Sequence, residues 1–156
     1  MAGASVLFVC LGNICRSPLA EGAFRAAADA RGLQLGVDSA GTGGWHVGAP
    51  PDPRAQAVAR AHGVDISGLR ARQVTAADFE LFTHVVAMDR DNLAALRRLG
   101  GASGGARLSL LLDHVPGRAG GDVADPYYGG PEGFLATWAD VWAGAEGLLS
   151  GLALRP

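Results

Sequence analysis

The sequence predicts an α/β protein: one open, mostly parallel sheet of about four strands with helices on both faces. Three observations carry this expectation. Short apolar runs of strand length recur along the chain, as in SVLFV (Ser5–Val9) and THVVAMD (Thr83–Asp89). Stretches with apolar residues at helical spacing follow them, and glycine or proline marks most of the changes. Strand alternating with helix is the pattern of parallel sheets covered on both sides, and the 156 residues suit a single domain spanning 1–156.

Taken in order, Ser5–Val9 reads as a buried parallel strand. Ser17-Pro18 opens a helix, with Ser17 as its cap and Pro18 at the first helical position, where no N–H is needed. Leu19, Ala20, Ala23, Phe24 and Ala27 supply its apolar stripe and Gly32 ends it. Leu33–Ser39 reads as a second strand. The loop AGTGGWHVGAPPDP (Ala40–Pro53) is long and rich in glycine and proline, a composition that often carries function. Arg54–His62 reads as a helix, and Thr75 as the cap of another running to Phe82. Thr83–Asp89 is a third strand, Arg90–Leu99 a helix, and Arg107–Leu112 a fourth strand. GGASGGA (Gly100–Ala106) reads as a flexible connection, Asp113–Gly133 as polar loop, and Phe134–Leu149 as the final helix.

Composition narrows the function. The net charge of -2 offers no basic field for nucleic acid or an anionic membrane surface. All 13 basic residues are arginine, which removes every chemistry that needs a lysine. The N-terminal apolar run is too short for a signal peptide or a membrane span, so a cytoplasmic setting is expected, with export by another route left open. Both cysteines, Cys10 and Cys15, lie in the opening stretch and read as a site instead of a disulfide framework. His46, His62, His84 and His114 lack metal-ligand spacing, so no metal is expected.

The segment Cys10-Leu11-Gly12-Asn13-Ile14-Cys15-Arg16-Ser17 follows the first strand, where ligands bind in such sheets. Gly12 and Asn13 tolerate positive φ, so the backbone can curl and turn its N–H groups inward. The next helix adds its positive end, and Arg16 at the rim can fork two hydrogen bonds onto an oxyanion. Cys10 would lie on the floor of this anion cradle. Helix N-termini and cations bring cysteine from a pKa of about 8.5 into a range of ~3.5–7.5. A thiolate there is set to attack phosphorus, with Ser17 donating a hydrogen bond to the sulfur.

The motif C-x5-R-S, written CLGNICRSP, resembles the signature of the low-molecular-weight protein tyrosine phosphatases. Asp125-Pro126-Tyr127-Tyr128, over a hundred residues on, resembles the same family's general-acid element, and SAGTGGWHVGAPPD and ARQVTAADFELF extend the likeness over nearly the whole chain. The resemblance implies a phosphatase that acts on phosphotyrosine-containing proteins through a cysteinyl-phosphate. In it Cys10 is the nucleophile, Arg16 the phosphate clamp, Asp125 the general acid and then base, and Ser17 the partner of the sulfur. It implies no cofactor, and a monomer or weak homodimer. Leu11, Gly12, Asn13, Ile14 and Cys15 form the phosphate-binding loop, Trp45, Tyr127 and Tyr128 wall a deep aromatic slot, and Ser39 with Asn13 supports the loop. Leu69 stands where the family often has a histidine in that supporting network. Cys15 reads either as an apolar filler or as a redox partner of Cys10.

Rival readings are arsenate reductase, which needs relay cysteines that this chain lacks, and protein arginine phosphatase, whose members tend to have threonine at the position of Ile14. A phosphate-binding module without catalysis would not require Cys10, Arg16 and Asp125 together.

Overall fold

The structure, a computed structural model, describes residues 3–100 and 104–153. Four strands, β1 (Ser5–Cys10), β2 (Gly36–Gly41), β3 (His84–Ala87) and β4 (Arg107–Leu110), form one all-parallel sheet in the order β2-β1-β3-β4. Five α-helices accompany them: α1 (Arg16–Ala30), α2 (Pro53–Ala61), the single turn α3 (Asp78–Leu81), α4 (Arg90–Arg98) and α5 (Pro131–Ala153). A 3-10 turn over Leu111–His114 follows β4.

Strand periodicity sorts the sheet into two apolar faces. Val6, Phe8 and Val86 point toward α1, α2 and α5, where Phe8 meets Phe24 edge to face at 5.6 Å. Leu7, Val9 and Val85 point the other way, onto Phe79 of α3 and Leu93 and Leu96 of α4. The connection from β1 moves to β2 on one side, and the connection from β3 moves to β4 on the other. Right-handed crossovers then place α1 and α4 on opposite faces. The reversal opens a crevice at the carboxyl ends of β1 and β3, and the loop after Cys10 lies at that crevice. The helix α5 lies directly on the 3-10 turn: a Cβ on Gly147 would stand 1.9 Å from the carbonyl oxygen of His114.

The four strands and their helices follow the expected order, with shifted boundaries. Leu33 and Leu35 pack on the core, but β2 pairs with β1 only from Gly36 to Gly41. The strand β1 begins at Ser5, the partner of Gly36, so no β1 residue stands opposite Leu33–Leu35. The fourth strand ends at Leu110, because Leu111–His114 tightens into the 3-10 turn. The last helix is longer than expected at both ends. Thr75 does not cap α3 with its hydroxyl; instead the Asp78 carboxylate accepts from the Thr75 N–H at 2.8 Å. Of the Gly100–Ala106 connection, residues 101–103 lie outside the described residues.

Candidate active site

Cys10 is the last residue of β1 and Arg16 the first of α1, so the loop between them is fixed at both ends by regular structure. Its shape follows from where its carbonyls go. The carbonyl oxygens of Cys10, Leu11 and Ile14 accept from the N–H groups of Thr42 (2.9 Å), Gly43 (2.9 Å) and Asp52 (2.8 Å), all on the long loop after β2. With the carbonyls engaged there, the amides are left for the loop's interior. Among the described residues, no acceptor pairs the N–H groups of Ile14, Cys15, Arg16 or Ser17, while the Asn13 N–H points at Cys10 Sγ at 3.3 Å. Unpaired amides beside a helix N-terminus form an anion site. The close approach depends on Gly41, where a Cβ would lie 2.8 Å from the Leu11 carbonyl oxygen.

The curl turns on Asn13, whose φ of 58° makes it the one non-glycine residue with positive φ among those described. Gly12, expected to share that role, has ordinary φ. Asn13 is buried and fully engaged: Nδ2 donates to Ser17 Oγ at 2.8 Å and Ser39 Oγ at 3.0 Å, and Oδ1 accepts from the Arg72 N–H at 3.0 Å. Ser39 Oγ in turn donates to Glu21 Oε1 at 2.7 Å. Burial pushes the Glu21 carboxyl above its ordinary range, against the pull of the hydrogen bonds from Ser39 and Arg25. Leu69 packs against the hydrophobic core and not into this polar network. The Arg72 amide, Ser39 and Glu21 support the loop.

Ser17 is not the cap of α1. The helix starts two residues earlier than expected, at Arg16 after Cys15, and has no side-chain cap. The Ser17 hydroxyl is instead drawn inward by nearer partners, lying 3.0 Å from Cys10 Sγ and 2.8 Å from Asn13 Nδ2. Cys10 is only 3 % exposed, and Cys15 is a buried free thiol. Burial, reinforced by Asp52 and the Cys10 sulfur, pushes the Cys15 thiol far up.

Arg16 does not sit at the rim, being 3 % exposed. Its Nη1 donates to Asp89 Oδ2 at 2.6 Å and to the Val123 carbonyl at 2.9 Å. Burial opposes its charge, but Cys10 and Asp89 outweigh burial and hold the guanidinium protonated. Its other terminal nitrogen, Nη2, lies 3.6 Å from Asp125 Oδ2. Asp89 is held in turn as the cap of α4, accepting from the Asn92 N–H at 2.7 Å. The Val123 N–H pairs with the Met88 carbonyl at 2.9 Å, so the segment carrying Asp125 is rooted at the end of β3.

Cys10, Leu11, Gly12, Ile14, Cys15, Arg16, Trp45, His46, Asp125, Tyr127 and Tyr128 thus line one cleft of about 310 Å³. Every expected site residue but Asn13, Ser17 and Ser39 lines it, and those three lie beneath. The aromatic walls are more open than the expected deep slot: Trp45 is 72 % and Tyr128 94 % exposed, with the Tyr127 and Tyr128 rings edge to face at 4.9 Å. His46, read from sequence only as a histidine without ligand spacing, lines the cleft beside Trp45, and Asp89, Glu21 and Arg72 join the site with no local sequence signal for it.

The model of the family described as low molecular weight phosphotyrosine protein phosphatase matches residues 5–155. This chain belongs to that family. It is a phosphoric monoester hydrolase of the low-molecular-weight tyrosine phosphatase type. It is 43 % identical over 150 residues to a low molecular weight protein-tyrosine-phosphatase of Bacillus subtilis, YfkJ, covering 95 % of each chain. To the human low molecular weight phosphotyrosine protein phosphatase it is 42 % identical over 134 residues, covering 83 % of this chain and 84 % of that one. The crystal structure of the Bacillus YfkJ superposes with a TM-score of 0.91 at 41 % identity, over 98 % of this chain and 96 % of that one. A Drosophila protein described as an arginine phosphatase superposes with a TM-score of 0.89 at 34 % identity, over 94 % and 96 %. Solved structures described by different phosphorylated side chains therefore superpose on this fold.

Proposed function

We propose that this phosphatase hydrolyses phosphotyrosine in proteins by a two-step route through Cys10. The Cys10 sulfur attacks phosphorus from the floor of the loop, and the ester P–O bond breaks as Asp125 gives its proton to the leaving phenolate. Arg16 and the loop amides gather the charge on the equatorial oxygens. Asp125, now a carboxylate, takes a proton from water as the water oxygen attacks phosphorus. The S–P bond breaks, inorganic phosphate leaves, and the Ser17 hydroxyl donates to the departing sulfur. No cofactor enters either step.

The observation that carries this reading is the convergence of three groups on one cleft. Cys10 Sγ lies at its base, Arg16 is fixed beside it, and the Asp125 carboxyl stands 3.6 Å from Arg16 on the open side. A binding site alone gains nothing from a sulfur below the anion or an acid above it. The open, aromatic mouth offers apolar faces to a flat phenyl ring. Among the described residues, no helix is long and apolar enough to cross a membrane.

The test is hydrolysis of para-nitrophenyl phosphate in chelator by wild type and by C10S, followed by capture of phosphoproteins on C10S. Turnover by wild type only, with phosphotyrosine captured, supports the reading. A second reading, arginine phosphatase, is favoured by the superposition on the Drosophila protein. Capture of phosphoarginine in place of phosphotyrosine would select it.

A further inference from the structure

The acid-bearing segment must hold its carboxyl over the cleft, yet Asp125 is 40 % exposed and its ion pair with Arg16 is long, at 3.6 Å. The near part of the segment is fixed up to Ala124: Val123 pairs with Met88 and Arg16, and Thr137 Oγ1 donates to the Ala124 carbonyl at 3.4 Å. Beyond it, Asp125 Oδ1 accepts from the Tyr127 N–H at 3.1 Å, a bond internal to the segment. It passes the orientation of Asp125 on to Tyr127, and some other group must hold Tyr127.

That group is Arg54, on the first turn of α2. Its Nη2 donates to the Tyr127 carbonyl at 2.9 Å and its Nη1 to the Gly129 carbonyl at 3.3 Å. The guanidinium also covers the rings of Tyr127 and Phe134, 5.6 and 4.7 Å from their centroids. Among the described residues, the Asp125 carboxylate at the Tyr127 N–H is the only other side chain that hydrogen-bonds the backbone of Tyr127–Gly129, and it belongs to the segment itself. Arg54 is itself aimed by Asp52, whose carboxylate accepts from Arg54 Nε at 3.1 Å and Nη2 at 3.0 Å. Hydrogen bonds from Arg54 hold the Asp52 carboxyl below the usual range, so it stays ionised. Asp52 donates its own N–H to the Ile14 carbonyl of the phosphate-binding loop at 2.8 Å. A continuous path therefore runs from Ile14 through Asp52 and Arg54 to Tyr127 and Asp125.

We propose that Arg54 is a positioning residue for the acid step: it clamps the Asp125 segment to the phosphate-binding loop, so that the carboxyl stays in line with the leaving oxygen while the loop holds phosphorus. Planarity suits Arg54 to this role. One flat guanidinium donates in its plane to two carbonyls and a carboxylate while its faces cover two rings, which a lysine cannot do. The inference rests on Asp125 being the general acid.

The experiment compares wild type, R54M, R54K, D125A and the double variant R54M/D125A on two aryl phosphates, one with a poor leaving group (phenyl phosphate) and one activated (para-nitrophenyl phosphate). R54M keeps the length and apolar stem and removes the fork. A general acid contributes about 10²–10⁴-fold, so partial misplacement predicts a loss in kcat/KM, which reports the step that expels the leaving group, of about tenfold for R54M on phenyl phosphate, against about twofold or less on the activated ester. R54K should recover little. In the D125A background R54M should have no further effect, because Arg54 acts through Asp125. The inhibition constant for inorganic phosphate should stay near wild type, which a collapsed loop would not allow. Equal losses on both esters, or additive losses in the double variant, overturn the proposal while D125A still shows the leaving-group dependence. If D125A shows no such dependence, the reading of Asp125 fails first.

Discussion

Replacement of Asn13 probes the support of the phosphate-binding loop directly. In N13A two buried hydrogen bonds, to Ser17 and Ser39, disappear, with a half-buried one accepted from Arg72. The two serine hydroxyls keep other partners, Glu21 for Ser39 and Cys10 for Ser17. The Arg72 N–H is left without its acceptor, a loss worth about 1–3 kcal/mol. Alanine must also adopt the φ of 58° that asparagine tolerates, at about 1–2 kcal/mol. Together these place N13A about 3 kcal/mol below wild type, which in a chain of this size lowers Tm by about 6–12 °C. N13G escapes the steric part but adds chain entropy of about 0.5–1 kcal/mol, so it falls at or slightly above N13A. N13D keeps the acceptor and the tolerated φ and isolates the two lost donors. Urea unfolding gives the stabilities, and kcat/KM on para-nitrophenyl phosphate reports the loop; each variant should lose activity as well as stability. N13A within about 0.5 kcal/mol of wild type would refute the reasoning.

Four further outcomes follow from the same geometry. R16K keeps the charge but not the planar pair of nitrogens, Nη1 anchored on Asp89 and Val123 and Nη2 facing the cleft, and should lower kcat about 100-fold or more, as removal of a preorganised donor does; steady-state kinetics decide. G41A should destabilise by about 1–3 kcal/mol in urea, since its Cβ has no room against the Leu11 carbonyl. Glu21 is a carboxyl whose folded pKa lies above its ordinary value of 4.5, so the folded state gains stability from it as pH falls through the folded pKa, and loses that gain as pH rises. The Tm of E21Q relative to wild type should therefore fall as pH is lowered from 7 toward 4.5. Iodoacetamide should label Cys10 and spare Cys15, whose thiol burial keeps protonated, as peptide mapping will show.

The parts legible in the sequence are those set locally. The run Val6–Val9, the curl-permitting Asn13 and the Cys10–Arg16 spacing lie within one strand–loop–helix unit, and the structure forms that unit as its residues indicate. Asp125 lies far along the chain and became visible through resemblance alone, since an Asp-Pro pair by itself reads as a turn. What stayed hidden are contacts made across the fold. Asp89 meets Arg16 across 73 residues and Arg72 meets Asn13 across 59, with nothing in either local pattern to announce it. Ser17 shows how a sound local rule is overruled: Ser-Pro before an apolar stripe fits a helix cap, but Cys10 and Asn13 offer the hydroxyl nearer partners. The start of the second strand, read at Leu33, shifts for a similar reason. Its leucines are buried as their chemistry requires, yet pairing with β1 sets in only at Gly36.

The covalent intermediate is the claim on which the mechanism stands. Enzyme turning over para-nitrophenyl phosphate, quenched in denaturant within the first turnover and mapped by mass spectrometry, should carry phosphate on the peptide containing Cys10, and none should form in C10S. Full turnover with that peptide never modified, or undiminished hydrolysis by C10S, would contradict it.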